Sequence, residues 1–199
     1  MLTNLDFLNQ GQPWPPESEK RRLRRYRQNR LLFENEHASV YKRQFQRIER
    51  VIGNFGDVVS YPVIVNYQKL LSLKVADLLL GEPPTITAGD PGSKEQDTLN
   101  LILERVELMN TAYEVALDVS RYGDGLFYVY PNPDGGGEID ASQPPIWFPI
   151  TLPDNIKKVQ YHVLAWEYQP FANRETKHLK IRIYEKGRYL ERIHEIQGE

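Results

Sequence analysis

Cysteine is absent from the 199 residues of this chain. Disulfide frameworks, thiolate zinc sites and thiol nucleophiles are thereby excluded, and a metal could be held only by histidine and carboxylate. The four histidines, His37, His162, His178 and His194, lie far apart, and none has a second ligand at the spacing that shares a helix face. His194-Glu195 is not followed by the histidine a zinc-helix motif needs, so neither metal nor cofactor is expected. Nucleotide chemistry is unsupported too: no Gly-x-x-x-x-Gly-Lys-Ser/Thr occurs, and Gly123-Asp124-Gly125 lacks the third glycine and the strand-then-helix setting of a dinucleotide fingerprint. No Gly-x-Ser-x-Gly is present, and Ser60, Ser72 and Ser120 are too ordinary to nominate as nucleophiles. Long apolar runs are also missing, and the start, Met1-Leu-Thr-Asn-Leu-Asp-Phe-Leu8, is too short and acidic for a signal peptide. The expectation is a cytosolic folding history with no membrane partner.

What remains is a globular composition, 40% apolar and 26% charged, on a chain long enough to bury roughly 70% of its unfolded surface. The net charge of −2 hides an asymmetry. Residues 17–50 carry eleven Lys/Arg against five Asp/Glu, so this stretch is +6 and the rest is −8. One basic element faces an acidic body, an arrangement that attracts phosphate or the acidic body of another copy.

Along the chain, residues 1–16 read as an extended, Pro-rich arm, because Pro13, Pro15 and Pro16 lack amide donors and restrict their predecessors. Such an arm is suited to lie across a neighbouring copy. Residues 17–125 read as mainly helical. A helix is expected from Pro16 or Glu17, dense in arginine outward, and a second from the i, i+4, i+7, i+11 spacing of Tyr41, Phe45, Ile48 and Ile52, stopping at Gly53-Asn54-Phe55-Gly56. The run from Val63 to Leu80 is apolar on most faces and predicts a buried helix with Asn66 as N-cap and Gly81 as stop. Thr85-Ile86-Thr87 suggests a short strand, and Leu99 through Leu117 keep helical spacing, predicting one long helix from about Lys94 to Arg121. Residues 126–199 switch to a two-residue period. They predict an antiparallel meander with strands at Leu126–Tyr130, Ile146–Ile150, Lys157–Tyr168, Leu179–Glu185 and Tyr189–Ile196, the last pair joined by Glu185-Lys-Gly187-Arg188. Helices followed by a meander define an α+β fold. The final strand runs into Glu199 with no return element, as in a sequence cut short.

Three groups of residues invite a chemical reading. Gly135-Gly-Gly137 lies between strands, where a hairpin tip explains it better than a phosphate cradle. Pro153-Asp154 with Glu175-Thr176-Lys177 loosely matches the Pro-Asp…Glu-x-Lys pattern of divalent-metal nucleases, although its second half has the composition of a loop. The third group is the basic helix 20–30, where Arg21, Arg22, Arg24, Arg25, Arg27 and Arg30 interleave with Tyr26. It suits either an acidic protein surface or DNA phosphates, with protein the favoured partner.

Three stretches in order resemble the portal proteins of tailed bacteriophages, of the siphovirus type. They are Asn66 through Gly81-Glu82-Pro83, Ala116 through Gly123 into the strand ending at Tyr130, and Ile146-Trp-Phe-Pro-Ile150 with Pro153-Asp-Asn155. The resemblance, over residues 20–199, implies a non-enzymatic ring subunit, usually one of twelve, at a capsid vertex of the virion, assembled in the host cytoplasm. It implies as partners the terminase, head-completion or adaptor proteins, scaffold and major capsid proteins, and double-stranded DNA in the channel. The stretch present would correspond to the outer wing. Readings from other classes are a metal-dependent nuclease using Asp154, Glu175 and Lys177, and an adaptor or DNA-binding module using the basic helix.

Overall fold

In the computed structural model, which describes residues 2–53, 63–133, 135–170 and 176–196, helices precede antiparallel strands, and the fold is α+β. The chain divides into two compact units. The division does not follow the change from helix to strand: residues up to Arg24 join those from Pro145 onward, and Arg25–Pro144 form the other unit.

The first unit is built on a four-stranded sheet of β3 (Trp147–Leu152), β4 (Asn155–Tyr168), β5 (Lys177–Glu185) and β6 (Arg188–Ile196), antiparallel and in sequence order. Alternation puts Phe148 and Ile150, Val163 and Ala165, and Leu179, Ile181 and Ile183 on one face, and pairing aligns Phe148 with Val163 and Val163 with Ile183. The N-terminal residues cover that face. Leu2 makes a parallel bridge to Ile150, its carbonyl accepting from the Thr151 amide at 3.0 Å, and Leu8, in a single 3-10 turn at Asp6–Leu8, is 1% exposed. Trp14 lies 5.0 Å from the Phe148 ring, with Phe7 at 6.1 Å. The arm is thus seated on its own sheet rather than held out toward a neighbour. Leu2, Leu8, Phe7 and Trp14 are the reason: the sheet's apolar face needs a second layer, and these side chains supply it.

On the sheet's outer side, Glu191 of β6 accepts from Tyr189 Oη at 2.7 Å, and Lys180 Nζ and Arg182 Nε of β5 approach it at 3.0 and 2.9 Å. These three donors hold its carboxyl down to about 2.

The second unit takes the C-terminal part of α1 (Glu17–Phe33), then α2 (His37–Val40), α3 (Lys42–Gly53), α4 (Tyr67–Leu80), α5 (Lys94–Arg105), α6 (Leu108–Tyr122) and a hairpin of β1 (Leu126–Pro131) with β2 (Gly137–Ser142). The glycine stop expected after α3 falls mostly on residues outside those described. Asn66 is the N-cap of α4 as expected, its Oδ1 accepting from the Lys69 amide at 2.9 Å. Its Nδ2 donates to the Leu32 and Phe33 carbonyls, at 2.8 and 3.1 Å, so the same side chain closes the C-terminus of α1. Gln68 Nε2 adds a bond to the Asn29 carbonyl at 3.3 Å.

α4 then packs on α6 through small residues. Ala76 is fully buried, and Ser120 Oγ donates to Ser72 Oγ at 3.1 Å. The Tyr26 ring of α1 lies tilted against Tyr122, with ring centres 5.2 Å apart, and its hydroxyl donates to Asp124, while Asn29 Nδ2 donates to the Arg121 carbonyl at 2.9 Å. Arg121 pairs with the buried Asp118 and spreads its guanidinium over Phe33 and Tyr122. Burial pushes the Asp118 carboxyl up, and Arg121 opposes that shift.

Three expectations are corrected here. α4 is not a buried helix: among its residues only Ser72 and Ala76 are buried, while Leu71, Leu78 and Leu79 are 62%, 87% and 66% exposed. Thr85–Thr87 is no strand. Pro83 and Pro84 remove donors, and Gln96 supplies the hydrogen bonds instead, accepting from the Ala88 amide at 2.8 Å and donating to the Ile86 carbonyl at 3.2 Å. The long helix is broken into α5 and α6 by Glu107, whose φ of 44° is left-handed. Its apolar periodicity persists across the break because Val106, turned inward, is itself core. At the far end Gly123, with φ of 85°, makes the left-handed cap the sequence announces. At Gly125 a Cβ would press on Val115 and Val119, so the chain can leave α6 closely only as glycine.

Replacing Asn66 by alanine should lower stability by about 1–3 kcal/mol, since it removes a cap and leaves two helix-end carbonyls without donors. Asn66→Asp, which keeps the acceptor but sets a carboxylate against those carbonyls, should also destabilise, and thermal unfolding measures both. For Glu191 the sign follows from its depressed carboxyl. The stabilising contribution is complete above the ordinary carboxylate range and is lost as pH falls toward about 2. The difference in stability between the parent and Glu191→Gln should therefore shrink on acidification over that window, measured by urea unfolding at successive pH values.

Candidate functional site

The basic stretch forms α1, and its helical geometry sorts the six candidate arginines. Glu17 and Glu19 occupy the first turn, where acidic side chains suit the helix dipole, and Lys20 Nζ reaches Glu17 at 2.6 Å. The inward stripe runs through the buried Pro16, Glu19 and Tyr26, with Leu23 packed against the core of the first unit. Arg22 belongs to this stripe. Its Nε bonds Glu19 at 2.6 Å, its Nη2 donates to the Trp147 carbonyl at 2.7 Å, and its guanidinium lies 5.4 Å from the Phe148 ring centre. A paired, partly buried arginine of this kind serves the fold.

Arg21, Arg24, Arg25 and Arg27 are exposed and have no partner among the described residues. Spacings of three and four join Lys20, Arg24 and Arg27, and Arg21 with Arg24 and Arg25, into one outward surface. Arg30 is half-exposed and only loosely tied, at 3.9 Å, to Glu34. Four unneutralised guanidinium groups on two turns of helix repel one another, so an anionic surface brought against them gains attraction and relieves that repulsion. The sequence shows the density of arginine but not that Arg22 turns inward. Its partners Trp147 and Phe148 are more than a hundred residues away.

The nuclease constellation does not assemble. Asp154 lies in the turn before β4, whereas Lys177 opens β5 beside the far end of β4, with its Nζ 3.9 Å from Glu167. The length of β4 separates them by roughly 40 Å at strand rise. Glu175 lies outside the described residues. Among the described residues no three His, Asp or Glu side chains converge in a way that could hold a metal ion. Gly135-Gly-Gly137 is the tip of the β1–β2 hairpin, and Gly136 has a specific use there: the Arg105 guanidinium occupies the space a Cβ would take. Arg105 is held by Glu138 at 2.8 Å, which also accepts from Asn132 at 2.7 Å. These bonds lower the Glu138 carboxyl. Among the described residues no helix is long and apolar enough to cross a membrane.

Comparison with curated proteins found no match. A family model described as phage portal protein, SPP1 Gp6-like, matches residues 16–189. The matched span begins one residue before α1 and ends at the second residue of β6, so it takes in the arginine surface, α1 to α6, the β1–β2 hairpin and the first three strands of the four-stranded sheet. Matched over most of its length, the chain belongs to the SPP1 Gp6-like phage portal protein family, which is structural and not enzymatic.

Proposed function

We propose that this chain is a subunit of a portal ring at one vertex of the capsid. The ring, of about twelve copies by the family resemblance, forms the passage for DNA during packaging and ejection. It offers a docking platform to terminase and head-completion proteins, and meets scaffold and major capsid proteins during assembly. The observation that carries the reading is family membership across residues 16–189, to which the charge distribution adds a physical rationale. A ring joins unlike faces of identical subunits, so a basic surface on one copy can meet an acidic surface on the next at every interface of a closed circle. Arg21, Arg24, Arg25 and Arg27 are the basic side in this proposal, and the −8 remainder of the chain supplies acidic surface. Arg30 joins them at the margin, while Arg22 acts through the fold.

Double reversal, Arg24→Glu with Arg27→Glu, should raise the concentration needed for assembly by about tenfold or more, the equivalent of losing one well-placed charge pair at each contact. Mass photometry and negative-stain microscopy read the result. Unchanged rings would remove these arginines from the interface; if the same variant assembles but loses salt-dependent DNA binding, the surface serves phosphate instead. Arg22→Ala is the contrasting control, expected to lower the unfolding temperature.

A further inference from the structure

The stretch from Lys94 to Tyr122 reads in sequence as one helix and is folded as two. It contains neither glycine nor proline, and Leu99, Leu103, Val106, Met109, Tyr113 and Ala116 keep spacings of three and four straight through the break. The break is two residues wide. Val106 stands at φ −84° and ψ 2°, Glu107 at φ 44° and ψ 46°, and no side chain caps the start of α6. A residue with a Cβ is disfavoured about tenfold in that left-handed conformation, where glycine is not. What holds α5 in its bent position is slight. None of its residues is buried, and Leu101 and Ile102 are 67% and 48% exposed. Arg105 ties its last turn to Glu138 through an exposed ion pair of 2.8 Å, a kind that contributes little. The bonds of Gln96 go to Ile86 and Ala88, which belong to the connection leading into α5 and can travel with it.

We propose that α5 is a hinged arm, swinging about Val106 and Glu107 between this bent position and one in which Lys94 to Tyr122 form a single straight helix. The geometry of the helical unit leaves room for the swing. Ser120 donates to Ser72 and Tyr113 to Asp77, so α4 and α6 run antiparallel and Leu80 ends beside the start of α6. A straight arm sets Lys94 about 21 Å beyond that point, at the rise of a helix. Residues 81–93, which connect the two, reach about 43 Å when extended, so the connection does not forbid the straight form. Straightening relieves the left-handed backbone of Glu107 and restores the hydrogen bonds that the break interrupts, while bending keeps the tie to Glu138. The two positions are thus close in free energy, and a partner that touches only one of them selects it. The inference concerns a single subunit and does not rest on the ring reading.

The cysteine-free sequence permits a direct test on the full chain. Spin labels on Glu95→Cys and Glu114→Cys, both exposed positions, stand about 28 Å apart along a straight helix and closer together when it bends. The labelled chain is diluted into unlabelled chain so that distances between copies do not contribute. Pulsed electron spin resonance should then show a main short distance and a minor component near the straight-helix value. Adding Glu107→Gly, which relieves the left-handed backbone and weakens the helix, should remove the long component. Glu107→Ile, whose β-branched side chain resists a positive φ, should raise the ratio of long to short by about tenfold. A single short distance in the parent and in Glu107→Ile alike, or a long component that Glu107→Gly leaves unchanged, would overturn the hinge. Should Glu107→Ile fail to fold, the other two decide: a parent with no long component overturns the proposal, and a long component removed by Glu107→Gly supports it.

Discussion

A single amide side chain sets the geometry of the helical unit. Asn66 accepts from the first turn of α4 and donates to the last carbonyls of α1, so two helix ends that would each need several partners share one residue. Once those ends are joined, the rotation of α4 about its axis is no longer free. Ser72 and Ala76 must meet α6, and small residues there allow close approach. The large leucines are thereby turned outward. A helix that composition alone would place in a core becomes a surface because its small side chains, not its large ones, fit the neighbouring helix.

The same economy governs charge. α1 contains enough arginine to be read as a uniform basic rod, yet its buried stripe takes Arg22 for Glu19, the Trp147 carbonyl and the face of Phe148. Arg21, Arg24, Arg25 and Arg27 have no partner among the described residues. Arg121 shows the other use of a guanidinium, closing over two aromatic rings while it holds the buried Asp118. Arginine does both because its planar, weakly hydrated head packs on rings as readily as it bonds carboxylate.

Much of this architecture is legible in the sequence. The strands from Trp147 to Ile196 follow from alternation and one Gly-containing turn, and α1, α3 and the Asn66 cap from periodicity and capping chemistry. Where reading along the chain fails, the deciding partner is distant or the signal is silent. Glu107 adopts a left-handed conformation with no glycine or proline to mark it, and the apolar spacing of Leu103, Val106 and Met109 runs on undisturbed. The pairing of Thr85–Thr87 is taken by Gln96, a residue of no special promise in sequence. For the arginine surface, density was visible and direction was not, because direction depends on Phe148 and Trp147. The separation of Asp154 from Lys177 is already implied by the strand expected at Lys157–Tyr168, which the structure extends to Asn155 as β4.

The first unit is discontinuous: Leu2 and Leu8 belong to the same core as Ile150, Val163 and Ile181, with Arg25–Pro144 intervening. Thermodynamically the insertion is tolerable, since loop-closure entropy grows only with the logarithm of length. Kinetically it imposes an order. On a ribosome adding residues from the N-terminus, Leu2, Leu8 and Trp14 emerge long before the strands that cover them, while the helical unit completes itself from contiguous sequence. The arm therefore stays apolar and uncovered at least until β3 is made, and the sheet unit, rich in distant contacts, closes after the helical unit.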